Sequence, residues 1–123
     1  DMVSGRRELI AGLMRDAQFG PCVMFGLGGI FAELVKDVVF AVAPLEQHDA
    51  EDMINALRHR EILDAFRGEP EADLAKLANI LEALGRIGEA RPEVLSIDVN
   101  PLILSGSDPV VVDALVELED DAS

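Results

Sequence analysis

A stripe of apolar residues in the middle of the chain constrains its fold more than any other sequence feature. The stripe recurs every three or four positions, at Leu74, Leu77, Leu81, Leu84 and Ile87. This spacing is that of one face of a helix, which we predict over Glu71–Ile87, with Pro70 suited to its first turn. Because a helix with a single apolar face must bury it, the flanking sequence has to supply a packing surface.

Both flanks of the stripe carry strand patterns. The segments predicted to be extended are, in chain order, 7–15, 23–27, 37–43, 94–99, 102–104 and 110–116. Gly20-Pro21 marks a turn between the first two, and Asn100-Pro101 a bend after the fourth. Shorter helical patterns cover 49–57 and 62–66. Strands, then helices, then strands predict an α+β fold in which helices pack on a largely antiparallel sheet.

The 123 residues fit one domain, which we predict to span 1–116, followed by an acidic tail over 117–123. The chain begins Asp1-Met2-Val3, so we expect it to be a fragment of a longer protein. The single cysteine, Cys22, excludes an intrachain disulfide and favours a cytoplasmic location. No apolar run reaches the roughly 20 residues of a membrane-spanning helix.

The net charge of −14 argues against nucleic acid as a partner, because such a surface repels a phosphate backbone. The same charge repels free nucleotides. A nucleotide site on this chain therefore needs a bound metal ion, local cations or backbone amides to reverse the sign of the field.

The strongest candidate for a metal site is the run Asp98-Val99-Asn100-Pro101, together with Asp113. Asp98 and Asn100 are two apart on a strand and share a face, and a hairpin would bring Asp113 to them. Two carboxylates and an amide oxygen form the all-oxygen set that Mg²⁺ prefers. The alternative is a strand-end turn capped by Asp98 and Asn100, with Asp113 facing solvent.

A glycine-rich run, Phe25-Gly26-Leu27-Gly28-Gly29-Ile30-Phe31-Ala32-Glu33, offers a second candidate site. Glycines allow close backbone approach to a phosphate, so Gly28 and Gly29 are candidate nucleotide-binding residues. The run lacks the lysine of a P-loop and the spacing of a Rossmann fingerprint, and a glycine bend between strands is the alternative. Glu33 fits either a site or the surface. Arg15 is a candidate phosphate contact, and an exposed strand arginine is its alternative.

Six motifs, taken together and in order, resemble the NDP-forming acyl-CoA synthetases over about residues 1–116. They are Gly5-Arg-Arg-Glu-Leu-Ile-Ala-Gly12, Arg15-Asp-x-Gln-Phe-Gly-Pro21, Phe25-Gly-Leu-Gly-Gly-Ile-Phe-x-Glu33, Ala43-Pro-Leu45, Arg67-Gly-Glu-Pro-x-Ala-Asp73 and Asp98-Val-Asn-Pro-Leu102. The resemblance, which extends to succinyl-CoA synthetase β subunits, implies the second subdomain of an ATP-grasp fold. Asp1-Met2-Val3 resembles the end of the hinge that touches the adenine.

The resemblance also implies site roles. Asn100 and Asp113 match the Mg²⁺-binding asparagine and aspartate of the family, and ATP or ADP is the implied nucleotide. Asp98 matches an acidic residue near the phosphohistidine docking site, so it is our candidate catalytic residue. Succinyl-CoA synthetases have glutamate there, and the aspartate of this chain is shorter.

The implied reaction converts acyl-CoA, ADP and phosphate to a carboxylate, ATP and CoA through a phosphohistidine. Its implied partners are the CoA-binding domains or subunit of the same synthetase, and we expect the full-length protein to be an oligomer. The fragment alone would be inactive. One alternative is a regulatory ATP-grasp-like domain in a multidomain protein acetyltransferase. Another is an interaction domain that binds no ligand.

Overall fold

The computed structural model describes residues 7–29, 36–65 and 68–119. Its elements, in order, are β1 (Glu8–Asp16), β2 (Gly20–Leu27), β3 (Val38–Val42), α1 (Gln47–Asn55), a 3₁₀ helix (Arg60–Leu63), α2 (Leu74–Ala90), β4 (Val94–Ser105), β5 (Asp108–Val111) and β6 (Ala114–Leu118). The α+β class and the antiparallel sheet are confirmed. None of the described helices is long and apolar enough to cross a membrane.

The six strands form one antiparallel sheet in the order β3-β2-β1-β4-β5, and β6 also pairs with β4. β5 and β6 lie end to end along β4, because the register that pairs Val99 with Ala114 continues unchanged to Leu102 and Val111. The prediction of one closing strand was therefore wrong: it is interrupted at 112–113. β6 also runs to Leu118, two residues beyond the predicted domain boundary.

The bend predicted at Asn100-Pro101 does not end β4, which runs through both residues. The irregularity appears instead as a bulge in the pairing with β1. Leu9 pairs with Leu102 and Ala11 with Val99, so Ile10 faces two residues of β4. A bulge accommodates the proline, which has no N–H for the ladder, without ending the strand.

The two helices cover one side of the sheet, which we call the covered face; the other side we call the open face. Leu9, Ala11 and Leu13 of β1 alternate onto the covered face and are buried against the stripe of α2. α2 begins at Leu74, later than predicted, because the Asp73 side chain caps it by accepting a hydrogen bond from the Lys76 N–H at 3.1 Å.

α2 ends at Ala90, later than the end of its apolar stripe. Gly88 explains the difference, since a Cβ there would lie 2.7 Å from the Leu13 side chain and 2.8 Å from that of Pro21. The last turn of the helix therefore packs closely on the β1–β2 hairpin without an apolar side chain of its own. Because this contact depends on Gly88 having no side chain, the spacing of apolar residues could not predict it.

Candidate magnesium and nucleotide site

Asn100 of β4 lies directly opposite Asp113, which occupies the break between β5 and β6. The Asn100 N–H donates a hydrogen bond to the Asp113 carbonyl at 3.1 Å, and the paired residues on either side share one register. Side chains of directly opposite residues project from the same face, with Cβ atoms about 4.5–5.5 Å apart. Both residues are exposed, so their side-chain oxygens can reach one ion from the open face.

Asp98 lies on the same face, two residues before Asn100 and about 7 Å from it along the strand. It is exposed and faces Leu115 of β6 on one side and Gly12 of β1 on the other. A Cβ on Gly12 would lie 2.7 Å from the Ile97 carbonyl oxygen, so the glycine is required for close strand approach. The Met24 methyl carbon would lie 3.3 Å from the same Cβ, so Met24 occupies the space that a side chain at position 12 would take.

The Asn100 and Asp113 side chains suit a magnesium ion whose other ligands are water and phosphate oxygens, and Asp98 lies beside them on the same face. Within the described ranges, none of them makes a hydrogen bond or an ion pair with another protein group. No cluster of three or more His, Cys, Asp and Glu side chains occurs in that same part of the chain. Mg²⁺ is commonly held by one or two protein carboxylates while water and substrate phosphates complete its octahedron. The donor set therefore fits Mg²⁺ bound together with a nucleotide.

The position of Asp113 differs from the one predicted. We expected it inside a closing strand, where a carboxylate would need a compensating partner. The structure places it at the break between β5 and β6, exposed to solvent. Because water solvates the carboxylate there, its ionised form needs no compensating group before a cation arrives.

The glycines of the second candidate site lie on the same open face, with β1 between them and Asn100. Gly28 follows β2, and its N–H donates to the Glu8 carbonyl at 2.8 Å. Gly29 adopts φ +63°, a left-handed conformation that favours glycine. Gly26 pairs with Ile10, the residue opposite the Asn100-Pro101 bulge. Two inter-strand spacings, about 10 Å, therefore separate the glycine end of β2 from Asn100.

Two sequence candidates lie outside the described residues. Glu33 falls in the stretch 30–35, and the hinge-like Asp1-Met2-Val3 falls in the stretch 1–6. Their predicted places beside the nucleotide stay predictions.

Arg15 requires a correction, because the structure does not bring it to this group. It shares the covered face with Leu13, where its guanidinium donates to three carbonyls: Gly88 at 3.1 Å, Arg91 at 2.9 Å and Val94 at 2.8 Å. The Gly88 carbonyl belongs to the last turn of α2, whose carbonyl oxygens have no N–H donor within the helix. Arg15 thus joins the end of α2 to the start of β4. This structural role replaces the phosphate contact that we predicted.

The sequence analysis missed an apolar area on the open face. One row of directly opposite residues crosses that face: Phe40, Met24, Gly12, Asp98 and Leu115. Phe40 is 60% exposed, and Val42 and Met14 nearby are also exposed. The open face is therefore largely apolar over β3, β2 and β1 and polar at Asp98, Asn100 and Asp113, while Leu115 of β6 adds an exposed apolar side chain. A signal existed, since the run 38–42 is apolar at every position, as in strands covered on both faces.

The titratable groups with shifted pKa values lie away from these side chains. A hydrogen bond and charge attraction from Asp108 raise the pKa of Lys76, on the exposed surface between α2 and β5. A hydrogen bond from Arg91 lowers the pKa of Glu93 at the start of β4. Both pairs are structural surface contacts.

Comparison with known proteins gives a consistent picture. A family model described as an ATP-grasp domain matches residues 1–118. The chain is 45% identical over 108 residues to the β subunit of the ADP-forming acetate–CoA ligase I of Pyrococcus furiosus, covering 88% of this chain and 47% of that subunit. It is 42% identical over 112 residues to the ADP-forming acetate–CoA ligase I of Archaeoglobus fulgidus, covering 91% of this chain and 16% of that protein.

A solved structure agrees with these relatives. The acetyl-coenzyme A synthetase 1 of Candidatus Korarchaeum cryptofilum superposes with a TM-score of 0.84 and 48% identity, over 92% of this chain and 53% of that one. That structure contains coenzyme A and Mg-AMPPCP, and its phosphohistidine segment points towards the nucleotide-binding site. The chain thus spans about half the length of the synthetase subunits that it matches.

Proposed function

The chain belongs to the ATP-grasp domain family, and we propose that it is the half of such a domain that holds Mg²⁺ and the nucleotide phosphates in an ADP-forming acyl-CoA synthetase. The observation that carries the proposal is the direct opposition of Asn100 and Asp113, joined by a backbone hydrogen bond of 3.1 Å on the exposed side of the sheet. The similar proteins named above are ligases, which favours this function over a regulatory domain of an acetyltransferase.

Asn100 and Asp113 would hold the metal through one amide oxygen and one carboxylate. When bound, Mg²⁺ neutralises charge on the nucleotide phosphates, which this chain's net charge of −14 would otherwise repel. The backbone hydrogen bond between Asn100 and Asp113 holds the two residues side by side, so little reorganisation is needed for their side chains to meet one ion. The backbone at Gly28 and Gly29 is the proposed approach for the phosphates, with ADP or ATP as the nucleotide.

Asp98 would act on the phosphohistidine rather than on the metal. Its carboxylate lies about 7 Å from Asn100 on the same face, within reach of an imidazole that approaches the phosphates. It would accept the hydrogen bond of the ring N–H and so orient the phosphorylated nitrogen towards ADP. The phosphoryl group would then leave nitrogen, as that P–N bond breaks, for an oxygen of the ADP β-phosphate.

The apolar part of the open face supports the proposal that this chain is half of a larger unit. Phe40, Val42 and Met14 form an exposed apolar area of a kind that usually marks an interface. We propose that it faces the remaining half of the ATP-grasp domain across the nucleotide. The CoA-binding domains or subunit of the synthetase, a full-length oligomer and a cytoplasmic location belong to the same proposal.

The test is a titration of the chain with Mg²⁺-ADP, monitored by NMR and calorimetry. Asp113→Asn keeps the side-chain shape but removes the charge, and it should weaken Mg²⁺-ADP binding about tenfold or more, equivalent to roughly 1.4 kcal/mol. Asp108→Asn is the matched control, since it removes an exposed carboxylate from the adjoining strand. Equal losses in the two variants would reject a specific site at Asp113.

Asp98 needs a separate readout in the assembled synthetase. Asp98→Asn should leave Mg²⁺-ADP affinity unchanged and slow phosphoryl transfer between the phosphohistidine and ADP. Asp98→Glu, which restores the longer acid of the succinyl-CoA synthetases, should retain most of the rate. A loss of Mg²⁺-ADP affinity in Asp98→Asn would instead make Asp98 part of the metal site.

A further inference from the structure

The outer edge of the sheet at β5 and β6 is unusually apolar for a free edge. Its exposed residues are between 44% and 71% accessible: Val110, Val111, Val112, Leu115, Val116 and Leu118. Sheet edges are commonly protected by lysine, by proline or by a covering element. The run 110–118 has neither lysine nor proline, and within the described part of the chain β6 pairs with β4 alone.

The direction of the β6 backbone shows which groups this edge presents. The Asn100 N–H donates inward to Asp113, and the Glu119 N–H donates inward to Glu93 at 2.7 Å. Inward and outward residues alternate along an antiparallel edge strand. The N–H and C=O groups of Ala114, Val116 and Leu118 therefore point away from β4, as a template for another strand.

The two sides of the same edge differ in their side chains. Ala114, Val116 and Leu118 project from the covered side, beyond α2, and all three are exposed. Glu117 projects from the open side, as does Asp113. No lysine, arginine or histidine occurs between 108 and 119. A strand added here would meet apolar side chains on one face, and on the other the two carboxylates with Leu115 between them.

We propose that this edge, Ala114–Leu118, binds an extended partner segment in which apolar residues alternate with lysine or arginine. The backbone of such a segment would pair with the outward groups of Ala114, Val116 and Leu118. Its apolar side chains would cover Val116 and Leu118, and its cations would lie beside Asp113 and Glu117. Directly opposite charges of opposite sign stabilise a strand pair, whereas like charges destabilise it.

A second copy of this chain is a poor occupant of the edge. Two β6 strands in antiparallel contact would place the carboxylates of both copies on the same face, and each copy carries a net charge of −14. The proposal concerns backbone groups that point away from β4. It therefore does not rest on the proposed nucleotide function.

The probe is a synthetic end-blocked peptide in which valine alternates with lysine, titrated into the chain without nucleotide. Binding should slow hydrogen exchange at the amides of Ala114, Val116 and Leu118 and should weaken as salt is raised. A peptide alternating valine with glutamate is the charge control and should bind at least tenfold more weakly. Equal binding of the two peptides would overturn the charge pattern that we infer.

Val116→Pro isolates the backbone contribution. It removes one outward N–H and no hydrogen bond to β4, so the fold should persist while peptide binding falls at least tenfold. Val116→Thr keeps the N–H and the branched side chain and should bind like the parent. If Val116→Pro does not fold, Glu117→Lys provides the second test and should weaken binding of the lysine peptide. Undiminished binding in a folded Val116→Pro variant or in Glu117→Lys, or dimerisation of the chain without peptide, would overturn the proposal.

Discussion

The two faces of one sheet use polar side chains in opposite ways. On the covered face and at its border, Arg15 and Arg7 direct their guanidinium groups into backbone carbonyls. Arg7 is only 3% exposed and donates to four of them: Ile62, Asp64, Pro70 and Gly106. On the open face, Asp98, Asn100 and Asp113 present oxygen atoms to solvent, without hydrogen bonds to the described part of the protein.

This contrast distinguishes polar side chains that stabilise the fold from polar side chains that are available to bind a ligand. A buried donor must be satisfied within the fold, so the carbonyls around Arg7 account for its presence. Exposed acceptors gathered on adjacent strands need no such compensation and contribute little to stability. We therefore expect substitutions on the covered face to change the free energy of unfolding, and substitutions on the open face to change ligand binding.

The largest expected effect is at Arg7. Arg7→Met should lower the free energy of unfolding by about 3 kcal/mol, because it leaves several buried carbonyls without a donor. Urea denaturation measures the change, with Arg86→Met on the exposed side of α2 as the control, expected within about 0.5 kcal/mol of the parent. Equal free energies of unfolding for the two variants would contradict the difference that we infer between the two faces.

Substitution of Arg15 tests whether its guanidinium group stabilises the fold or contacts phosphate. Arg15→Met should lower the free energy of unfolding by about 2 kcal/mol through the loss of three hydrogen bonds to carbonyls. Its Mg²⁺-ADP titration should match that of the parent chain. A variant of normal stability that binds the nucleotide poorly would restore the phosphate contact predicted from the sequence.

A smaller effect is expected from a pair of aspartates on opposite faces. Asp73→Ala removes the cap of α2 and should cost about 1 kcal/mol of stability. Asp98→Ala, on the open face, should change the free energy of unfolding by less than about 0.5 kcal/mol. Thermal unfolding of the two variants side by side measures the difference, and the reverse order would contradict the assignment of the faces.

The smallest effect concerns the exposed pair Arg91 and Glu93. The hydrogen bond from Arg91 lowers the pKa of Glu93, so its stabilisation is present above the ordinary glutamate range and is lost as the pH falls through the lowered value. Arg91→Gln should raise the pKa of Glu93 towards that ordinary range, as followed by NMR of its side-chain carboxyl. An unchanged titration would show that another group sets the pKa.

The direction of side chains along a helix or strand could be predicted from the sequence, whereas the pairing of backbone segments could not. The stripe from Leu74 to Ile87 identified α2, and the alternation around Asp98 and Asn100 placed both residues on one face, because periodicity follows directly from side-chain direction. The bulge at Asn100-Pro101 and the break at Asp113 depend on how β1, β4 and β6 pair, which no local pattern encodes.

The role of Arg15 also could not be predicted from a local sequence pattern. An arginine on a strand can donate the same N–H groups to a phosphate or to a carbonyl. Which acceptor it binds depends on the element that packs over it. Here α2 ends above β1, and its free carbonyls attract the guanidinium. Gly88 allows α2 to continue beyond its apolar stripe. The carbonyls at the end of the helix therefore lie within reach of Arg15 and determine its structural role.

The most direct test of the account uses Mn²⁺ in place of Mg²⁺, together with ADP, and maps paramagnetic broadening of the amide resonances. We expect the broadening to centre on Asn100 and Asp113 and to extend over the open face to Asp98, even where binding is weak. Amides of α2 should be affected least, since they lie across the sheet. Broadening centred instead on the acidic start of α1, at Glu46 and Asp49, or spread evenly over the surface, would contradict the proposed metal site.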